Sequence, residues 1–286
     1  MKQLMTSNIT LKGIDRGIIY HYTNHDTFKK IIRSQYFLMS NYPDLKGDSE
    51  ELIWAFDTYH AITKHLFPEF LDNGKVLPKE FYVLSTCIRE NNEHLWIEYA
   101  ENFTGVVIGI QANALFKLYN RQNSQIHMSP MFYDTKRFID LCKQSVLGLK
   151  PIIMRAPINF PENINEYPSE MRNSMILDMI PEYREFTNNN LRNEVLGDIT
   201  LQKNEKYKKE EEVRILHSTY YRLNEPLEIK NINGKNKAVL PLVIENNHLI
   251  SEIIVTPHCK MTVGEIKRHL RQYKIQTDVR VIEYPK

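Results

Sequence analysis

Tyr207-Lys208-Lys209-Glu210-Glu211-Glu212-Val213-Arg214-Ile215-Leu216 begins as a charged run and ends as an apolar–polar alternation. If Val213 to Leu216 starts a β-strand, the two-residue side-chain period puts Glu210, Glu212 and Arg214 on one face. Glu211 then points to the other. Two carboxylates and a guanidinium at a strand mouth can shift one another's pKa or hold a sugar hydroxyl. A charge run is most often a solvated face, so the rest of the chain has to decide between the two readings.

Outward from that stretch, strands and helices are interspersed. Toward the N-terminus, Gly17-Ile18-Ile19-Tyr20-His21-Tyr22-Thr23 reads as a strand, and Asn24 or Asp26 is placed to cap a helix with Phe28, Ile31 and Ile32 on its inner stripe. Tyr36 to Ser40 and Phe81 to Cys87 follow as strands, the second rich in aromatic and β-branched residues. His94 to Ala100 reads as a short helix with Trp96 and Tyr99 three apart on one face. Gly105 to Ile110 is an almost wholly apolar strand of the sort buried on both faces. Helices are expected from Asp48 to Leu66, from Ala112 to Tyr119, from Thr135 to Val146 and from Met171 to Phe186, with an extended run from Ile126 to Tyr133.

Beyond the acidic stretch, strands are expected near Leu227–Ile229, Val239–Val243, Ile250–Val255 and Val279–Ile282, with an Asn233-Gly234 hairpin turn between the first two. Thr262-Val263-Gly264-Glu265 is a capping box opening a helix whose inner residues are Ile266, Leu270 and Tyr273. The expected class is α+β, a mixed sheet with helices packed outside it. No linker divides residues 1–286, which are expected to form a single domain, and 187–209 reads as a mobile connection or lid.

Composition narrows the function. With 286 residues, 42% hydrophobic and 25% charged, the chain can bury a core and is ordinary for a globular protein. A formal charge of +2 neither demands nor excludes a nucleic-acid partner. Three scattered cysteines, Cys87, Cys142 and Cys259, imply neither a disulfide framework nor a zinc site, and fit a reducing, cytoplasmic setting. Met1 to Asp15 has no apolar signal core, and no apolar run reaches bilayer length, so no membrane is expected. Neither a dinucleotide fingerprint nor a phosphate-binding glycine loop is present.

The order of the blocks carries a resemblance. Leu95-Trp96-Ile97-Glu98-Tyr99-Ala100 followed by Gly105-Val106-Val107-Ile108 resembles the "WxxYA…GVV" signature of the microbial family called domain of unknown function 2971. Tyr207-x-x-Glu210-x-Glu212-x-Arg214 resembles its "WxxExExR" block, with Tyr for Trp. His21-Tyr22-Thr23 resembles its "HYT", and Ile253-Ile254-Val255-Thr256-Pro257 its "eIiiGP", with Thr for Gly. Asp48-Ser49-Glu50-Glu51 resembles the tail of "NDPxE", with Gly47 for Asn and Ser49 for Pro.

That family is in turn similar to ADP-ribosyltransferases of the His-Tyr-Glu type. The resemblance implies an ADP-ribosyltransferase-like split mixed β-sheet that holds NAD, the co-substrate, between its halves. His21 would bind the adenosine ribose, with Tyr22 and Thr23 beside it. Tyr22, Trp96 or Tyr99 would stack on nicotinamide. Glu212 would hold the nicotinamide ribose, Glu210 would act as second glutamate, Ser85 would support Glu212, and Arg214 would pair with a carboxylate or contact the pyrophosphate. His21 and Glu212 should face one cleft from neighbouring strands.

The implied reaction transfers ADP-ribose to a nucleic acid or a protein, in phage defence or with an antitoxin partner. Two other classes compete. Asp48, Glu50, Glu210 and Glu212 could serve a metal-dependent nuclease or hydrolase, since carboxylate clusters suit hard cations. A nucleotide-binding module without turnover would keep the cleft alone.

Overall fold

The computed structural model of the chain describes residues 17–45, 81–115, 126–131, 133–134, 200–201, 203–219, 227–244 and 247–284. The expected helices from Asp48, Thr135 and Met171 lie outside these residues, as do Asp48 and Glu50. Ten strands form one mixed sheet, and the described helices pack on it, an α+β architecture.

The N-terminal unit is β1 (Ile18–Thr23), α1 (His25–Ser34) and β2 (Tyr36–Asn41). Asn24 is the cap of α1: its side chain accepts from the Thr27 amide at 2.7 Å. The helix ends at Gln35, a non-glycine residue in the left-handed region whose amide returns to the Ile31 carbonyl. The central strand β3 (Phe81–Cys87) leads to the short helix α2 (Glu93–Glu98), which starts one residue before the expected helix. β4 (Val106–Gln111) is buried on both sides: Val106, Ile108 and Ile110 enter the main core and Val107 a second, smaller one.

β5 (Ile126–Pro130) and β6 (Glu212–Ser218) pair antiparallel. β7 (Ile229–Ile232) and β8 (Lys235–Pro241) form the expected hairpin, with Asn233 and Gly234 both at positive φ (54° and 79°), as a two-residue primed turn requires. β9 (Val243–Ile244) and β10 (Asn247–His248) make a small ladder of their own. β11 (Ile250–Val255), α3 (Val263–Gln272) and β12 (Asp278–Val281) follow, and β11 and β12 pair in parallel. The capping box of α3 is made on both arms by Thr262 and Glu265.

β3 is where the sheet divides. One of its edges pairs with β6 along its whole length, from Phe81↔Ser218 to Cys87↔Glu212. The other edge is shared: β1 meets it through Tyr20↔Cys87 and β2 through Ser40↔Val83 and Asn41↔Tyr82. β1 then continues on β4 and β2 on β8, so one half is β12-β11-β4-β1 and the other runs from β2 through β8 to β7. The main core lies on one side of the sheet under α1 and α3, through Phe28, Ile32, Ile266 and Leu270. On the opposite side Tyr20, Tyr22, Cys87, Leu95, Trp96 and Ala100 make the second core. Gly105 turns the chain back into β4, where an added Cβ would strike the Thr23 and Ala100 carbonyls.

Candidate functional site

The site is built where β1, β3 and β6 come closest. Cross-strand partners share a face, so Ser85↔Arg214 and Cys87↔Glu212 set these four side chains on the same side of β3 and β6. Glu212 lies at the first position of β6, and its amide donates to the Tyr133 hydroxyl at 2.9 Å. Arg214, fully buried, gives Nε to Glu212 Oε1 at 2.8 Å and Nη2 to Oε2 at 3.4 Å. Its Nη1 donates to the Thr200 carbonyl at 2.6 Å, and its guanidinium lies 5.6 Å from the centre of the Tyr42 ring.

Glu210 reaches the same cluster by a different path from the one its spacing suggests. It is the last residue of a 3-10 helix (Glu205–Glu210), not part of a strand. Glu211 sits between in the left-handed region (φ 47°, ψ 42°), a conformation that costs a non-glycine residue roughly 1–2 kcal/mol. This reversal turns Glu211 away to Arg89, with Nε 2.7 Å from Oε2. Lys203 then joins the two neighbours, its Nζ 2.7 Å from Glu210 Oε2 and 3.0 Å from Glu212 Oε2. Lys203, Glu210, Glu212 and Arg214 are all buried.

Burial alone would raise the Glu212 pKa. Arg214 and Lys203, with hydrogen bonds from Arg214 and Ser85, overcome it and hold the carboxyl at about 2. Its folded value is thus below its ordinary 4.5, so the stability it supplies is present above pH 4.5 and lost as pH falls toward 2. The expected loss is on the order of 3 kcal/mol. Urea midpoints at pH 6, 4 and 3 check it: wild type should weaken across the window more steeply than Glu212→Gln, and parallel curves would contradict the shift.

His21 stands at the division of the sheet. Its ring packs edge-on to Phe37 of β2 with centroids 5.5 Å apart. Nδ1 is 3.0 Å from the Ser85 carbonyl. A carbonyl can only accept, so Nδ1 carries the proton and Nε2 is left as an acceptor. Desolvation lowers the His21 pKa, with the Ser85 carbonyl acting against it, which favours this neutral form. Ser85 is exposed, and its hydroxyl donates to Glu212. One residue therefore contacts both His21, through its carbonyl, and Glu212, through its side chain. The strands of His21 and Glu212 are not neighbours, contrary to the sequence expectation: β3 lies between them.

The aromatic candidates separate. Trp96 has no exposed surface: it meets Tyr22 edge-on at 5.6 Å and stacks on Phe103 at 6.1 Å, and its Nε1 donates to the Glu90 carbonyl at 3.1 Å. Tyr22 is buried too. Its hydroxyl donates to the Arg89 carbonyl at 2.6 Å and accepts from the Asn92 amide at 3.0 Å, so it anchors the loop after β3. Both rings form core rather than a ligand platform. Tyr99 is 53% exposed, one helical turn on, and is the ring of the three that solvent reaches. Thr23 is buried and pairs with Val106 at the end of β1.

Lys203, Thr200 and Tyr133 belong to the cluster and were not singled out in the sequence. Lys203 sits in a polar run that reads as a lid, and its seven-residue offset from Glu210 would suit two turns of an α-helix, whereas the backbone between them is an extended Asn204 followed by a 3-10 helix. The described part of that run is tied down: Asn92 Nδ2 donates to the Lys209 carbonyl at 2.7 Å, and Lys203 and Thr200 are held as above. Among the described residues no three metal-binding side chains cluster. Between Glu210 and Glu212, where a divalent cation would sit, stands the Lys203 ammonium. Among the described residues, no helix is long and apolar enough to cross a membrane.

Comparison with known proteins covers two of the five blocks, the one from Leu95 to Ile108 and the one from Tyr207 to Arg214. A model of the family described as "Protein of unknown function (DUF2971)" matches residues 95–215, from α2 into β6. The match includes Glu210, Glu212 and Arg214 and stops short of His21. No curated protein matches. One solved structure that the chain resembles, "Thermus sp. 2.9 DarT in complex with NAD+", is 12% identical over 93% of this chain and 96% of that chain, with a TM-score of 0.35.

Proposed function

We propose that the chain is an NAD-dependent ADP-ribosyltransferase, with its ligand held at the division of the sheet. The observation that carries the reading is Ser85, exposed at the surface and bonded to His21 on one side and to Glu212 on the other. A dinucleotide laid along that line has a neutral imidazole for one ribose and a fixed carboxylate for the other.

In the reaction the bond from the ribose anomeric carbon to the nicotinamide nitrogen breaks, and its electron pair leaves with nicotinamide. The anomeric carbon then bonds to the acceptor, whose proton departs. A carboxylate held at about 2 is a poor base but a permanent negative charge, so Glu212 stabilises the oxocarbenium-like state. Reception of the acceptor's proton falls to Glu210. Arg214 fixes Glu212 and does not reach a pyrophosphate, because it is buried and committed to Glu212 and Thr200. The acceptor is a nucleic acid or a protein, and the setting is bacterial defence, on the strength of the family resemblance.

Calorimetry with NAD, followed by chromatographic assay of free nicotinamide, tests this. Binding with nicotinamide release is the expected result. Binding without release in the presence of cell lysate would reduce the protein to a binding module, and absence of binding would overturn the reading.

A further inference from the structure

The charges of the Glu210–Glu212 cluster are paired within the chain. Two carboxylates face two cations, Lys203 and Arg214, and all four side chains are buried. The cations are not equivalent. Arg214 is held by a fork of two nitrogens on Glu212 and by the Thr200 carbonyl, from a position inside β6. Lys203 makes a single-atom contact from a flexible four-carbon stem, shared between Oε2 of both glutamates. From that same position its Nζ lies 4.9 Å from the centre of the half-buried Tyr207 ring, which Lys206 also covers at 4.8 Å.

We propose that Lys203 is the resident counter-ion of Glu210 and Glu212, and that it yields its place at Glu212 Oε2 to the cationic nicotinamide-ribose end of the ligand. This inference rests on the ADP-ribosyl transfer reading and adds the feature that tunes it. With Lys203 in place the four charges cancel. With Lys203 displaced from the two carboxylates, Glu210, Glu212 and Arg214 leave one net negative charge, the complement of a pyridinium and of the oxocarbenium-like sugar that follows it. The vacated Oε2 supplies the lone pair that a ribose hydroxyl needs. Lys203 therefore sets affinity by competition, and its ammonium is a positioning group that touches the two glutamates.

Removing the charge should separate affinity from stability. Lys203→Met keeps most of the stem volume, and Lys203→Gln keeps a donor and stands in should the first fail to fold. Both should melt at lower temperature than wild type yet bind NAD about tenfold more tightly by calorimetry, the size of one charged contact no longer displaced. Lys203→Arg retains the charge with a more firmly seated fork and should bind NAD no better than wild type. A purely structural lysine would lose stability and affinity together, so equal or weaker NAD binding by the Met and Gln variants overturns the inference while leaving the transferase reading in place. If neither wild type nor any variant binds NAD, the transferase reading falls and the inference with it.

Discussion

Glu212→Gln should lower the rate of nicotinamide release by about 10²–10³, the loss typical of removing one preorganised transition-state contact. Ground-state NAD binding should change far less than the rate, because an amide keeps the size and reach of the carboxylate and its lost charge weakens the hold of Lys203 and of the ligand alike. The expectation follows from the shifted pKa: a group ionised at every working pH acts through its charge, and the substitution removes only that. Glu211→Gln is the matched control. Its side chain is turned out to Arg89 by the left-handed backbone at that residue, away from Lys203 and Arg214. Turnover should be unaffected by it. Because Glu212→Gln leaves two buried cations facing one carboxylate, circular dichroism and a urea titration must accompany the kinetics. Equal rates for the folded variant and wild type would show that Glu212 is a structural counter-ion of Arg214 and nothing more.

Trp96→Ala should cost about 3–5 kcal/mol of stability, the range for deleting a large aromatic side chain from a core. Trp96 has no exposed surface, and its contacts are Tyr22, Phe103 and Tyr284 together with a hydrogen bond to the Glu90 carbonyl. Tyr22, one of its ring neighbours, is pinned through its hydroxyl to Arg89 and Asn92 and so is held back from the space. The loss is read from the urea midpoint. Variant protein that remains folded should bind NAD as wild type does, whereas Tyr99→Ala, at the exposed C-cap of the same helix, should leave stability within about 0.5 kcal/mol. A stable Trp96→Ala protein with weakened NAD binding would return Trp96 to the ligand site.

The sequence by itself determined those features that local chemistry controls. Asn24 and Thr262 cap their helices because a side-chain oxygen there satisfies an amide that the first turn leaves unpaired. Asn233-Gly234 forces a hairpin because both positions tolerate positive φ. Val106 to Ile110 had to be buried on both faces, since no polar alternation gives it a wet side. The resemblance also named His21 and the two glutamates; in the fold His21 and Glu212 are joined through Ser85, whereas Tyr22 and Thr23 are buried.

Tertiary structure decided the rest, for reasons that local pattern does not carry. Trp96 and Tyr99 are three apart and have opposite fates, because the helix stops at Glu98 and leaves Tyr99 as its exposed C-cap, while Trp96 packs against Tyr22 and Phe103. Glu210 and Glu212 share a partner not through strand alternation but through a left-handed residue between them and a lysine seven positions upstream. Their meeting point with His21 is a serine on a third strand, which becomes a junction only because β3 gives one edge to β6 and divides the other between β1 and β2. Burial then sets the electrostatics: in water Lys203, Glu212 and Arg214 would be three solvated charges, whereas out of it each must find its partner, and that requirement makes them one site.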